Sequence, residues 1–378
     1  MERFRPFELE RWQSTYENEV AYNLSDSGVH PLSLGELRAL CRDASIDDVS
    51  LGYGQTNGSE ALRARIAALY PDADAASVTV ANGSAEANFA AMWALAAPGE
   101  RIAVVVPTYM QTHGLATAFG ADVVEIPLHE ELGWQPDPDE VGALIRQGVR
   151  AVVVTNPVNP TGTVLSAEAR QAIVEAAADV GAWIVADEVY AGAERSGERT
   201  PTFYGAYPRT IATGSLSKAY GLPGLRLGWA VTTPAMAEEL WARRDYSTIA
   251  PSTISDRLGT LALEPATHQR LLARTRAAIE AGLAVLEPWL TEQGIFRWRP
   301  PQAGAVCFVR YDLPVSSAEL AERLRTEQSV LVVPGSQFGI EHTLRLGTGA
   351  PAGELSAALE RIARTLGPLR RRKASISV

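Results

Sequence analysis

Between residues 77 and 232 the chain alternates short apolar runs with longer amphipathic stretches. Ser77–Ala81, Ile102–Val106, Asp122–Ile126, Ala151–Thr155, Trp183–Ala186, Thr210–Thr213 and Leu225–Thr232 read as strands. Several are almost unbroken in Val, Ile and Ala, the pattern of strands buried on both faces. Ala85–Ala97 and Ala167–Val180 lie between them and carry helical spacing. This alternation predicts an α/β domain with a mainly parallel seven-stranded sheet flanked by helices. After residue 250 the texture changes. A helical stretch over Ser252–Gln293, broken near Pro265, precedes short strands at Val306–Tyr311, Val330–Val333 and Thr343–Leu346 and a last helix at Ala352–Leu366. A smaller α+β domain is expected there, with the N-terminal segment packed on it: residues 46–250 form the large domain, 1–45 and 251–378 the small one.

Composition narrows the classes. A chain of 378 residues exceeds what one core usually supports. Hydrophobic residues are 46% and charged residues 21%, as in globular proteins of the aqueous phase. A net charge of −10 argues against a general nucleic-acid binder. The basic run Arg370–Lys373 reads as a solvated tail. Two cysteines, Cys41 and Cys307, build neither a disulfide framework nor a Cys-rich metal site, and no metal is expected. The N-terminus has no apolar signal core and no run is long enough to span a membrane, so a cytoplasmic location is expected.

The chemistry-bearing residues fall at or just after predicted strands, where ligands of parallel sheets bind. The stretch Thr213–Trp229 holds a single lysine, Lys218, with Ser215 and Ser217 before it and Arg226 beyond. An amine nucleophile in a preorganised pocket can form a Schiff base, and hydroxyls with a guanidinium suit a phosphate. Pyridoxal 5′-phosphate (PLP) needs both; a surface lysine in a Gly/Ser loop is the plain alternative. Asn82–Asn88 opens a helix with Gly83 and Ser84, an anion site or an ordinary N-cap. Tyr109 at a strand end can stack on a flat ring or simply be half-buried. Asn159, bracketed by prolines in Asn156–Gly162, offers an amide to a phenolate or sits in a turn. Asp187, closing a buried strand, needs a cationic or donor partner such as a pyridinium, or caps the next loop. Tyr190 follows it. Arg345 on a predicted strand can bind a carboxylate bidentately or pair at the surface.

In this order and spacing these residues resemble the fold type I PLP enzymes of the class I/II aminotransferase family, from about Tyr22 to Leu366. The resemblance implies that Lys218 holds the cofactor and moves the α-proton, and that Asp187 pairs with the ring nitrogen. Tyr190 and Asn159 match donors to the phenolate, Tyr109 the stacking ring, and Ser84, Ala85, Ser215 and Arg226 the phosphate cup, with the Ser217 hydroxyl beside them. Arg345 matches the group that binds the substrate carboxylate, beside Gly28, His30 and Asn159. Tyr53 matches a residue reaching the neighbouring subunit's phosphate, which implies a homodimer with shared sites. The implied activity is transamination between an L-amino acid and a 2-oxo acid, with no nucleic acid or membrane partner.

Ser27–His30 with Gly35–Arg38, and the run Leu216–Arg226, are similar to PLP cyclases of the capreomycidine synthase type, a group that includes arginine-modifying oxidases of natural-product pathways. Elimination with cyclisation is therefore the alternative outcome, with His30 as an extra acid or base. A PLP-fold regulator is the remote one, disfavoured because no basic domain precedes the cofactor fold. Glu86, Gln111 and Tyr246 join His30 as candidate substrate-pocket residues.

Overall fold

The computed structural model describes residues 5–41 and 45–376. Residues 1–4, where the N-terminal stretch begins, lie outside the described residues, as do the side chains of Arg372 and Lys373 in the basic run. The chain opens with α1 (Glu8–Tyr16), β1 (Tyr22–Asn23), α2 (Leu34–Leu40) and α3 (Glu60–Ala67). Then come β2 (Val78–Ala81), α4 (Ser84–Leu95), β3 (Arg101–Val106), α5 (Gln111–Ala118), β4 (Asp122–Pro127), α6 (Pro138–Ile145), β5 (Ala151–Thr155) and α7 (Ala167–Val180). The large layer closes with β6 (Trp183–Asp187), β7 (Thr210–Ser215), β8 (Gly228–Val231) and α8 (Pro234–Arg244). The remainder holds α9 (Thr253–Ala262), α10 (Pro265–Gln293), β9 (Phe296–Trp298), β10 (Val306–Tyr311), α11 (Ser317–Gln328), β11 (Val330–Leu331), β12 (Val333–Pro334), β13 (Thr343–Gly347) and α12 (Ala352–Ile376).

Seven strands form one sheet in the order β2-β8-β7-β6-β5-β3-β4, with only β8 antiparallel to its neighbours. The unbroken apolar runs are explained by burial on both faces. Ala103, Val105, Val152 and Val154 join a core with α6 and α7. Their neighbours Ile102, Val104, Ala151 and Val153 join another with α4 and α5. The second sheet, β12-β13-β10-β9, is antiparallel, and β1 pairs with β11. Val29 and Leu37 share a core with Leu62, Val80 and Leu216.

Three sequence expectations are corrected. The strand expected over Leu225–Thr232 begins only at Gly228, because Pro223–Leu225 is a 3-10 turn and Arg226 adopts a left-handed φ of 48°. The run Val330–Val333 divides between two sheets. The last helix continues past Leu366 to Ile376, so the basic run is helical, and Arg370 donates to Gln293.

Candidate active site

Parallel register brings the site together. Thr155 on β5 pairs with Asp187 on β6, which pairs with Thr213 on β7. These strand ends border a cavity of about 420 Å³. Lys218 lines it with Asp187, Tyr190, Tyr109 and Asn159. So do Ser84, Ala85, Ser215, Ser217 and Arg226, and so does Arg345 from the small sheet.

One group of these residues fits a phosphate. Helix α4 starts at Ser84 without a side-chain cap, after Gly83 at φ 88°. Open amides at a helix N-terminus favour an anion. Two glycines permit the close approach. A Cβ at Gly83 would stand 2.4 Å from the Arg226 Nη2, and one at Gly228 would stand 2.3 Å from the Ser84 amide nitrogen. The open helix end, the hydroxyls of Ser84, Ser215 and Ser217 and the Arg226 guanidinium thus converge on the cavity that holds the Lys218 amine. That donor set suits PLP, which carries a phosphate at one end and an aldehyde for the lysine.

The charged groups are few and specific. Lys218 Nζ lies 3.5 Å from Asp26 Oδ1. Burial disfavours the ammonium, but Asp26 and Tyr190 outweigh it and hold Lys218 above the usual lysine range. Burial likewise opposes ionisation of Asp26, yet Lys218 and the Gly28 N–H hold its carboxyl below the usual range. Asp187 is pushed up by burial, partly offset by an Asn88 hydrogen bond of 2.9 Å. Burial also raises Tyr190 and Tyr109. Arg345 is buried, with its guanidinium pushed down by desolvation. It donates to Asn159 Oδ1 at 2.9 Å and to the Ser25 carbonyl. With its oxygen so occupied, Asn159 has its amide N–H groups left to offer.

Helix α1 supplies a wall that sequence reading missed. Glu10, Gln13, Ser14 and Glu17 line the cavity, and Asp26 and Ser27 join them from the loop after β1. Their spacing puts the first four on one helical face. Leu9 anchors the helix in a core shared with the seven-stranded sheet, and Trp12 Nε1 donates to the Val332 carbonyl between β11 and β12. Glu10 accepts from the Tyr109 hydroxyl at 2.5 Å, so this wall also holds Tyr109. Glu17 is pushed up, first by burial and then by the charges of Asp26 and Glu10. The polar face was visible as a pattern, but such faces usually meet solvent.

Several expected residues sit elsewhere. His30 does not line the cavity: Val29 turns into the core, so the next side chain faces out and is exposed. Its backbone is pinned by Gly349 and Arg274. Gly28 does lie close, since a Cβ there would be 3.7 Å from the Lys218 Cδ. Glu86 is spent on Asn82, Ser247 and Thr248. Tyr246 is 84% exposed and stacks edge-on to Trp93. Gln111 lines the cavity. Tyr53 is 85% exposed and lies outside it, in a hollow with Leu51, Asn82 and Ile254.

A mainly parallel seven-stranded sheet with a lysine, a phosphate cradle and a buried aspartate at its edge defines a fold type I PLP enzyme. The aminotransferase class I and II family model matches residues 30–362, and the chain belongs to that family, whose members use PLP to work at the α-carbon of amino acids. The chain is 33% identical to capreomycidine synthase of Streptomyces vinaceus, over 95% of this chain and 93% of that one. It is 32% identical to an arginine–pyruvate transaminase of Pseudomonas aeruginosa, over 85% and 84%. A PLP-dependent aminotransferase from Streptococcus suis superimposes with a TM-score of 0.91 at 31% identity, over 98% and 99% of the two chains. Among the described residues no helix is long and apolar enough to cross a membrane.

Proposed function

We propose that this enzyme transaminates an L-amino acid with a cationic side chain. One observation carries the substrate class: Glu10, Glu17 and Asp26 line the cavity that also holds Lys218 and Arg345. Arg345 takes the α-carboxylate, as a buried guanidinium suits a planar anion. Arg226 faces the phosphate cradle. The three carboxylates then leave acidic charge facing the side-chain end of a bound amino acid. Glu17 is pushed up first by burial and then by the charges of Asp26 and Glu10, against the pull of Lys218, so part of its shift reflects the crowding of acidic groups. A guanidinium or ammonium relieves it, while a second carboxylate on the substrate is repelled.

Bound at Lys218, the cofactor supplies the electron sink that acidifies the α-proton. The chain's own groups do the rest. Once the substrate amine has displaced it from the cofactor, the freed Lys218 Nζ would take the α-proton and return it as general base and acid. Asp187 would hold the ring nitrogen protonated, Asn159 and Tyr190 would donate to the phenolate, and Tyr109, fixed by Glu10, would support the ring.

The matched arginine–pyruvate transaminase bears on both substrate class and outcome, and capreomycidine synthase on the competing outcome of cyclisation. L-arginine, L-lysine, L-aspartate and L-leucine, each tested for conversion of the cofactor to its amine form, followed by pyruvate and detection of alanine, decide the matter. Conversion with the basic amino acids and not with aspartate is expected. Preference for aspartate sinks the substrate class. Turnover of a hydroxylated arginine that needs no 2-oxo acid sinks transamination and leaves the cationic pocket standing.

We further propose a homodimer. Leu51, Tyr53 and Ile254 are exposed around Asn82, which begins the phosphate-cradle loop. A second copy covering this patch brings its Tyr53 toward that cradle. Sedimentation equilibrium is expected to give twice the chain mass, and a monomer at working concentration overturns the proposal.

A further inference from the structure

Asp187 stands at a buried strand end, 7% exposed, where a carboxylate is costly unless its oxygens are occupied. Val189 N donates to Oδ1 at 3.2 Å. Asn88 Nδ2 donates to Oδ2 at 2.9 Å. Asn88 is 1% exposed and lies one turn along α4 from Ser84, so the helix that opens the phosphate cradle also carries this donor. Its own oxygen accepts from the Thr213 hydroxyl at 2.8 Å. Thr213 is fully buried and pairs with Asp187 across β6 and β7. The second Asn88 N–H points to Gln111 Oε1 at 3.5 Å, and Gln111 in turn donates to the Ala85 carbonyl at 2.9 Å.

The direction of this relay is determined by its ends. A carboxylate only accepts, and the Thr213 hydroxyl is free to donate. A flipped Asn88 amide would set two acceptor oxygens against each other. The threonine therefore selects which end of the amide meets Asp187. A neutral donor to a buried carboxylate favours its ionised form without adding charge to the site. A lysine or arginine in its place would compete with the ring nitrogen for Asp187.

We propose that Asn88, oriented by Thr213, is a positioning residue that keeps Asp187 an anion aimed at the cofactor's ring nitrogen. The inference rests on the reading of Lys218 and Asp187 as the cofactor site. Removing the donor leaves Asp187 Oδ2 without this partner, and its proton affinity rises. The proton shared with the ring nitrogen then moves toward the carboxylate, and the ring loses its hold.

The test uses holoenzyme in four forms: wild type, Asn88→Leu, Thr213→Val and Thr213→Ser. The readouts are the pH titration of the visible absorbance of the Lys218-bound cofactor and the cofactor dissociation constant from tryptophan quenching. Asn88→Leu is expected to shift the titration and weaken cofactor binding about tenfold or more, the size of a lost hydrogen bond to a charged group. Thr213→Val moves both in the same direction by less, and Thr213→Ser, which keeps the hydroxyl, restores wild-type values. With a deaza analogue of the cofactor, whose ring has no nitrogen, the differences shrink. Wild-type titration and affinity in both Asn88→Leu and Thr213→Val overturn the proposal, as do equal differences with the deaza analogue. If Asn88→Leu does not fold, the Thr213 pair decides alone. A wild-type protein without Lys218-dependent absorbance would instead overturn the cofactor reading itself.

Discussion

The cavity has two walls built on different principles. At the sheet edge, Asp187 and Thr213 are buried, registered strand to strand and hydrogen-bonded to Asn88. On α1 and the loop after it, Glu10, Glu17 and Asp26 face one another with Lys218 as the cation in reach of Asp26. The first wall is satisfied within the protein; the second is acidic in excess. A satisfied wall suits a permanent occupant, the cofactor. An unbalanced wall suits a transient one whose charge completes it. On the function proposed above, chemistry and specificity are separated, and substitutions on the two sides are expected to differ in kind.

The largest effect is expected on the chemical side. Lys218→Ala removes the group that holds the cofactor and moves the proton, and turnover falls at least about 10³-fold with every amino acid. Single-turnover absorbance with arginine and leucine checks this. Arg345→Lys keeps a positive charge but loses the planar fork that reaches both Asn159 and the Ser25 carbonyl. A loss of about 10²-fold in kcat/KM is expected for all substrates alike.

The acidic wall responds more selectively. Glu17→Gln is expected to raise KM for arginine about tenfold or less and to leave leucine unchanged, because the interaction is partly screened by solvent. An equal loss for both substrates would break the distinction between the walls. The pH dependence sharpens it. Glu17 binds a cation only when ionised, and its carboxyl ionises above the ordinary range. As pH falls through that raised value the charge is lost, so KM for arginine climbs on the acid side, and Glu17→Gln flattens this limb.

The smallest effect lies behind the sheet edge, at Glu188. Burial pushes its carboxyl up to about 7, although Phe203 N and Thr202 donate to one oxygen. The other oxygen has no hydrogen-bond partner. The folded chain therefore holds this proton more tightly than the unfolded chain. Stability is greater below the ordinary carboxylate range and declines as pH rises to about 7. Glu188→Gln keeps the accepting oxygen and removes the titration, so thermal melts above neutral pH should show a stabilised variant and those at acidic pH little change.

Much of the first wall was legible in the chain. Lys218, Asp187, Tyr190, Asn159 and Ser84 follow strands whose apolar runs announce them, and strand order in a parallel sheet carries such residues to one edge. The second wall was not. Glu10 on an amphipathic helix and Glu17 at its C-cap belong to a polar face that carries no local mark of facing a cavity. At His30 local chemistry suggested the substrate, while burial of Val29 leaves its side chain facing out of the cavity. Asn88 reads as a polar residue inside an apolar helix, and only packing of α4 against β6 and β7 gives it Asp187 and Thr213 as partners.

The sequence by itself determined the fold class and the cofactor, and it pointed to the residues proposed to carry the chemistry, because these depend on period, strand ends and spacing along the chain. The tertiary structure alone decided which charges meet across the cavity. Asp26 beside Lys218, Glu10 against Tyr109 and Asn88 on Asp187 join residues far apart in the chain. Electrostatic and hydrogen-bond energies depend on distance in space and on burial, and neither is written in local sequence.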